Sequence, residues 1–227
     1  MCEVVRMPHR RPGDVARIHA VLALDAVPLF PLPGHVLLPG LPVPFHIFEP
    51  RYRALVRDLL AKPAAERWLA VPRIAPGFEA AAAGEPPLVP IVAAARLAAA
   101  SELGDGRFHI AVIGEGRWHL DEQPGDRPYR LAHLVRMPEP LLDFSLTRRV
   151  ANAVRRIIGE HPKITEEISA LLDAERHGPG VVLDRLAALT LVDPDLRQRY
   201  LEAESACCRL RVLEGAQSCS GEIEALN

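Results

Sequence analysis

The period of the apolar positions changes near Pro140. Ahead of it, short apolar runs are broken by glycine and proline; beyond it, apolar residues recur at helical spacing. In the first stretch Phe108, Ile110 and Val112 alternate, which puts all three on one face of a strand. Apolar runs over 68–74, 88–97 and 129–137 predict further strands. Gly104-Asp105-Gly106 and Gly114-Glu115-Gly116 read as two turns of a meander, the second leading into Trp118 and Leu120. Short strands joined by tight turns predict a small barrel or a curled sheet. Pro28, Pro31, Pro33, Pro39, Pro42 and Pro44 each lack a ladder donor, so this run is restricted to edge strands and extended connections. One helix interrupts the strands: Glu49 caps it, Pro50 suits its first turn, and Tyr52, Val56, Leu59 and Leu60 share a face. The segment 75–87, with its alanines, glycines and prolines, reads as a loop.

Beyond Pro140 the helical period holds. Val150, Val154, Ile157 and Ile158 follow i, i+4, i+7, i+8, and Ile164, Ile168, Leu171 and Leu172 repeat those offsets. Gly178-Pro179-Gly180 breaks the chain before a short helix carrying Val182, Leu186 and Leu189. Asp193 caps and Pro194 starts a final helix with the stripe Leu196, Tyr200, Ala203, Cys207, Leu210. The expected fold class is α+β, with a β-barrel or curled-sheet lobe followed by an α-helical bundle lobe. The expected divisions are a flexible leader over 1–26, the β-rich lobe over 27–140, the helical lobe over 141–215 and a frayed tail over 216–227.

Composition narrows the function. The 227 residues are 49% hydrophobic and 25% charged, with a net charge of −2, so no overall field draws the chain to nucleic acid or an anionic membrane. No apolar run approaches the ~20 residues that span a bilayer, and the N-terminal stretch lacks the marks of a signal peptide. Cys2, Cys207, Cys208 and Cys219 form no C-x-x-C pair and read as small hydrophobes of a reducing compartment; the expected location is cytoplasmic.

Catalytic motifs are missing. Lysine occurs only at Lys62 and Lys163, each beside a proline, which removes both a P-loop and a Ser–Lys dyad. Gly-x-Ser-x-Gly and His-Glu-x-x-His are absent. His35, His46 and Glu49 have offsets that match no common ligand spacing, so no metal is expected. Cys207 lies on an apolar stripe, and Arg148, Arg149, Arg155 and Arg156 read as a solvated helix face. The chain is expected to be no enzyme and to need no cofactor.

The run Phe45-His-Ile-Phe-Glu-Pro-Arg-Tyr-Arg53, with Pro28-Leu-Phe-Pro-Leu32 and Leu37-Leu-Pro-Gly40, closely resembles the opening of the Lon protease N-terminal domain family. Asp105-Gly-Arg-Phe-His-Ile110, Gly116-Arg-Trp118, Leu183-Asp-Arg-Leu-Ala187 and Leu196-Arg-Gln-Arg-Tyr-Leu-Glu202 extend the resemblance over about 27–213. That family also occurs as stand-alone bacterial proteins. The resemblance implies a PUA-like β lobe beside a helical lobe, and a non-catalytic module that engages polypeptides or unfolded protein segments, with a separate protease as a further partner. Fold analogy alone supplies the alternative, a PUA-like RNA- or nucleotide-binding protein. The signature residues Phe45, His46, Phe48, Glu49, Arg51 and Tyr52 have two readings: they fix a strand-to-helix corner, or they bind polypeptide directly.

Overall fold

The alternation of the first lobe is realised as one antiparallel sheet. In the computed structural model the described residues are 23–81, 84–138, 144–160, 170, 172–173 and 177–224, without the side chains of 81, 144, 157–160 and 217–224. The strands are β1 (Ala23–Pro28), β2 (Pro42–Ile47), β3 (Trp68–Ala70), β4 (Ile91–Glu102), β5 (Phe108–Gln123) and β6 (Leu131–Arg136), with helix α1 (Pro50–Leu60) between β2 and β3. The order is β1-β6-β5-β4-β3, and β2 pairs separately with β5. Parallel bridges Leu29–Ala70 and Leu32–Arg73 then join the two ends of that path. The Phe30 amide donates to the Ala70 carbonyl at 2.8 Å and the Ile74 amide to that of Leu32 at 3.1 Å. The sheet thereby curls into a barrel. Phe108, Ile110 and Val112 face inward with Ile47, Leu55, Val56, Leu59 and Leu69, and each such buried side chain stabilises the fold by about 1.5–3 kcal/mol.

β2 lies on an edge, as its prolines require. Its register sets Pro42, Pro44 and His46 opposite Ile113, Ala111 and His109. A residue without an N–H cannot exchange a pair of ladder bonds, so these are the non-hydrogen-bonded positions, whose amide sites point away from β5. Two of the three outward amides are therefore missing, which blunts the edge against strand addition.

Two expectations are corrected. Gly114-Glu115-Gly116 is no turn; it lies inside the single long strand β5. A Cβ on Gly114 would meet the Leu38 carbonyl oxygen at 2.7 Å, and the Gly40 amide donates to the Gly114 carbonyl at 3.0 Å, so this glycine lets the 38–40 segment cross the strand. Gly116 has φ +71° and sits in a bulge, because the register passes from Ala94↔Glu115 to Val92↔Trp118. The expected final helix is likewise two helices, α4 (Pro194–Glu202) and α5 (Ala206–Glu224). Ala203 is extended (ψ 126°), and the Ser205 hydroxyl accepts from the Cys208 amide at 3.2 Å as a new N-cap.

The preceding helices are α2 (Phe144–Glu160) and α3 (Pro179–Thr190). Val150, Leu183, Leu186, Tyr200 and Leu210 form their common core, which also takes in Val36 and Leu38 from the barrel side. Strand β1 begins at Ala23, inside the stretch read as a leader, because Leu24 and Val27 pack with Trp118 and Leu134. Helix α5 continues to Glu224, past the expected lobe end at 215. The rest of the leader (1–22), the boundary near Pro140 and the expected helical residues 164–169 and 171 lie outside the described residues.

Polar contacts join barrel and helices. The Arg117 guanidinium, buried at the bulge, donates to the Leu201 carbonyl at 3.0 Å and to that of Ala203, at the C-terminus of α4. Gln198 donates to the Ile91 carbonyl at 3.0 Å, Arg197 to that of Val36 at 3.1 Å, and Arg73 pairs with Asp195 at 2.6 Å.

Candidate functional site

The signature residues straddle the corner between β2 and α1, and strand alternation splits them. Phe45 and Tyr52 turn inward and meet the same ring edge-to-face: Phe30 is 5.4 Å from Phe45 and 4.7 Å from Tyr52. Glu49 is the N-cap of α1 by position, and its carbonyl accepts from the Arg53 amide at 2.9 Å. Its side chain makes no cap bond and instead holds Arg51 at 2.9 Å. The Arg51 guanidinium lies 4.6 Å over the Tyr52 ring, a cation–π contact. Burial, reinforced by the Glu49 charge, raises the pKa of Tyr52, while Arg51 and Arg130 oppose the rise. These four residues serve the corner.

Arg51 and Tyr52 also border a cleft of about 290 Å³, together with Tyr129, Arg127, Arg130 and Glu122. Its guanidiniums already have carboxylates. Arg127 pairs with Asp58 at 3.0 Å, and Arg130 donates to Glu122 at 2.7 Å and to the Pro86 carbonyl at 2.8 Å. The Tyr129 hydroxyl donates to Asp58 at 2.5 Å, and burial and that carboxylate push its pKa strongly upward. An anion entering this cleft would compete with those carboxylates.

His46 and Phe48 point the other way, onto the outer face of β2, β5 and β4. Phe48 is 60% exposed, and its ring lies 6.0 Å from that of His46. Pairing places Pro42, Pro44, Ala111, Ile113 and Ala99 on the same face, with His109 opposite His46 and Ser101 beside His109. Pro42, Pro44, His46, Ala99, Ser101 and His109 are exposed. The face is thus largely apolar, with an aromatic ring at one end. The alternation of Phe108, Ile110 and Val112 already turns His109 outward, but nothing in the sequence shows that it lies against His46. Among the described residues no group of three or more His, Cys, Asp or Glu could hold a metal ion, and no helix is long and apolar enough to cross a membrane.

A profile of the ATP-dependent protease La (LON) substrate-binding domain matches residues 26–214. The chain is 29% identical over 198 residues to Lon protease 2 of Sorangium cellulosum (strain So ce56), covering 83% of itself and 24% of that protein. It therefore spans about a quarter of the length of that curated relative. The N-terminal domain of a Mycobacterium avium complex Lon protease superposes with a TM-score of 0.65 at 18% identity, over 86% of this chain and 98% of that one. A Lon N-terminal domain protein from Xanthomonas campestris gives a TM-score of 0.57 at 21% identity, over 85% and 98%. These likenesses support the same fold, and the profile covers most of the chain. The chain belongs to the family of LON substrate-binding domains.

Proposed function

We propose that this chain is a non-catalytic polypeptide-recognition module, acting in the cytoplasm and presenting bound segments to a protease. The observation that carries the reading is Phe48, a large ring held 60% exposed at the end of an apolar sheet face. Phe48 directly follows β2, and Pro42, Pro44, Ala99 and Ala111 extend the surface on which an unfolded segment could lay apolar side chains. The blunted β2 edge argues that recognition runs through side chains more than through an added strand. The family's substrate-binding description agrees with this chemistry. The matched guanidiniums of the cleft favour it over a nucleotide ligand.

The test is binding of a fluorescently labelled, reduced and alkylated model chain, read by anisotropy. Fully burying a phenylalanine is worth about 1.5–3 kcal/mol, so Phe48→Ser should weaken binding by roughly tenfold or more. Phe78→Ser, at another exposed phenylalanine outside the β2–β5–β4 face, is the control and should leave binding unchanged. Equal binding by wild type and Phe48→Ser, with both variants folded by circular dichroism, overturns the reading.

A further inference from the structure

We propose that His46 and His109 form a two-imidazole chelate for a divalent transition-metal ion on the outer face of the sheet, a site that does not depend on polypeptide binding. The two residues are direct cross-strand partners. With Pro42 and Pro44 fixing the alternation, their pair belongs to the narrow class, in which Cα atoms lie about 4.5 Å apart and side chains approach most closely. The ring centres are 5.0 Å apart and the rings are inclined at 71°, so they are not stacked face to face.

That spacing is what a chelate needs. An ion about 2.0–2.1 Å from each imidazole nitrogen lies roughly 3.2 Å from each ring centre, and two such rings at a near-tetrahedral angle have centres about 5 Å apart. Rotation about the side-chain bonds would turn a nitrogen of each ring toward a common point. Both residues are exposed, so they can reach this geometry without disturbing the core, and water can fill the remaining positions. Paired imidazoles select Cu2+, Ni2+ or Zn2+ over Mg2+ or Ca2+, which prefer oxygen donors. His35 and His133 are poorer candidates. His35 is partly buried beside the cationic Arg197, which would repel an ion, and His133 is held at 2.5 Å by Asp25.

The experiment is calorimetric titration of untagged full-length protein with Ni2+ alone, repeated on His46→Ala, His109→Ala and the double variant. Once one imidazole is bound, the second binds intramolecularly, so each single variant should lose about 10–100-fold in affinity at this site. The double variant, with no imidazole left at the site, should bind more weakly than either single one. Ni2+ should also raise the melting temperature of wild type and not of the variants, since the ion ties β2 to β5 only in the folded state. Wild-type affinity in either single variant overturns the proposal, as does Mg2+ binding as tight as Ni2+. His46→Gln and His109→Gln serve as second variants should an alanine at either position disturb the strand. The titration contains no polypeptide, so its failure leaves the reading of Phe48 untouched, and failure of the Phe48 test leaves this one standing.

Discussion

Arg117→Met should destabilise the protein by about 2–3 kcal/mol. The arginine is 1% exposed, and its guanidinium serves the carbonyls of Leu201 and Ala203, where α4 ends and has no helical donor of its own. Methionine keeps much of the aliphatic stem but leaves both carbonyls without that donor, a loss of about 1–3 kcal/mol for each buried group. The attraction between a cation and a helix C-terminus, about 0.3–1 kcal/mol, is lost too. Removing the guanidinium also relieves its own desolvation, which offsets part of the sum. For a chain of this size the net change corresponds to a fall in Tm of roughly 4–12 °C, at 2–4 °C for each kcal/mol. Urea denaturation should show a lower midpoint with an unchanged slope, since the surface exposed on unfolding is nearly the same. Hydrogen exchange should accelerate first at the amides of 203–206, the junction that Arg117 secures. An unchanged or higher midpoint would show that desolvation of the buried charge outweighs its bonds, and the reasoning would be wrong.

All three tyrosines, Tyr52, Tyr129 and Tyr200, have pKa values raised by burial, with Asp58 and Asp184 adding to the rise for the last two. A folded pKa above the unfolded value of 10.0 stabilises the protein fully below pH 10 and loses that contribution as pH rises toward the folded value. Absorbance at about 295 nm should therefore show less tyrosinate near pH 10 than in the unfolded chain, and then a cooperative rise with alkaline unfolding; titration of all three tyrosines near 10 would refute the burial. His35 has the opposite sign. Burial, then Arg197, holds its folded pKa below 6.5, so its contribution is present above pH 6.5 and is lost as pH falls through the folded value. His35→Gln should flatten the stability profile below pH 6.5 in urea melts, and an unaltered slope would exclude the assignment. Asp193→Ala should cost about 1 kcal/mol, because Asp193 accepts from the Leu196 amide at 2.9 Å as the N-cap of α4. A midpoint within error of wild type would count against that cap.

What the sequence made legible was local. Alternation over 108–112 and the turn at 104–106 need only their own residues, and the structure has both: the Gly106 amide donates to the Leu103 carbonyl at 2.8 Å. Proline placement confined β2 to an edge for the same reason. The failures involve partners from elsewhere in the chain. Gly114 is glycine because the 38–40 segment crosses it, and a turn and a crossing look alike in one dimension. The stripe from Leu196 to Leu210 keeps its period across the break at 203–205, so the cap at Ser205 was hidden by a pattern that two successive helices also satisfy. The signature was recognisable as a unit, yet only strand pairing reveals that its inward members brace a corner while His46 meets a histidine from β5.

For the recognition of unfolded chains proposed above, the prolines of β2 have a consequence. Such a client is rich in segments ready to zip onto any free ladder and propagate as cross-β. A border with donors missing at Pro42 and Pro44 offers a poor template for that growth. A module of the proposed kind would thus hold sticky, extended clients against its flank with less seeding of their aggregation or its own.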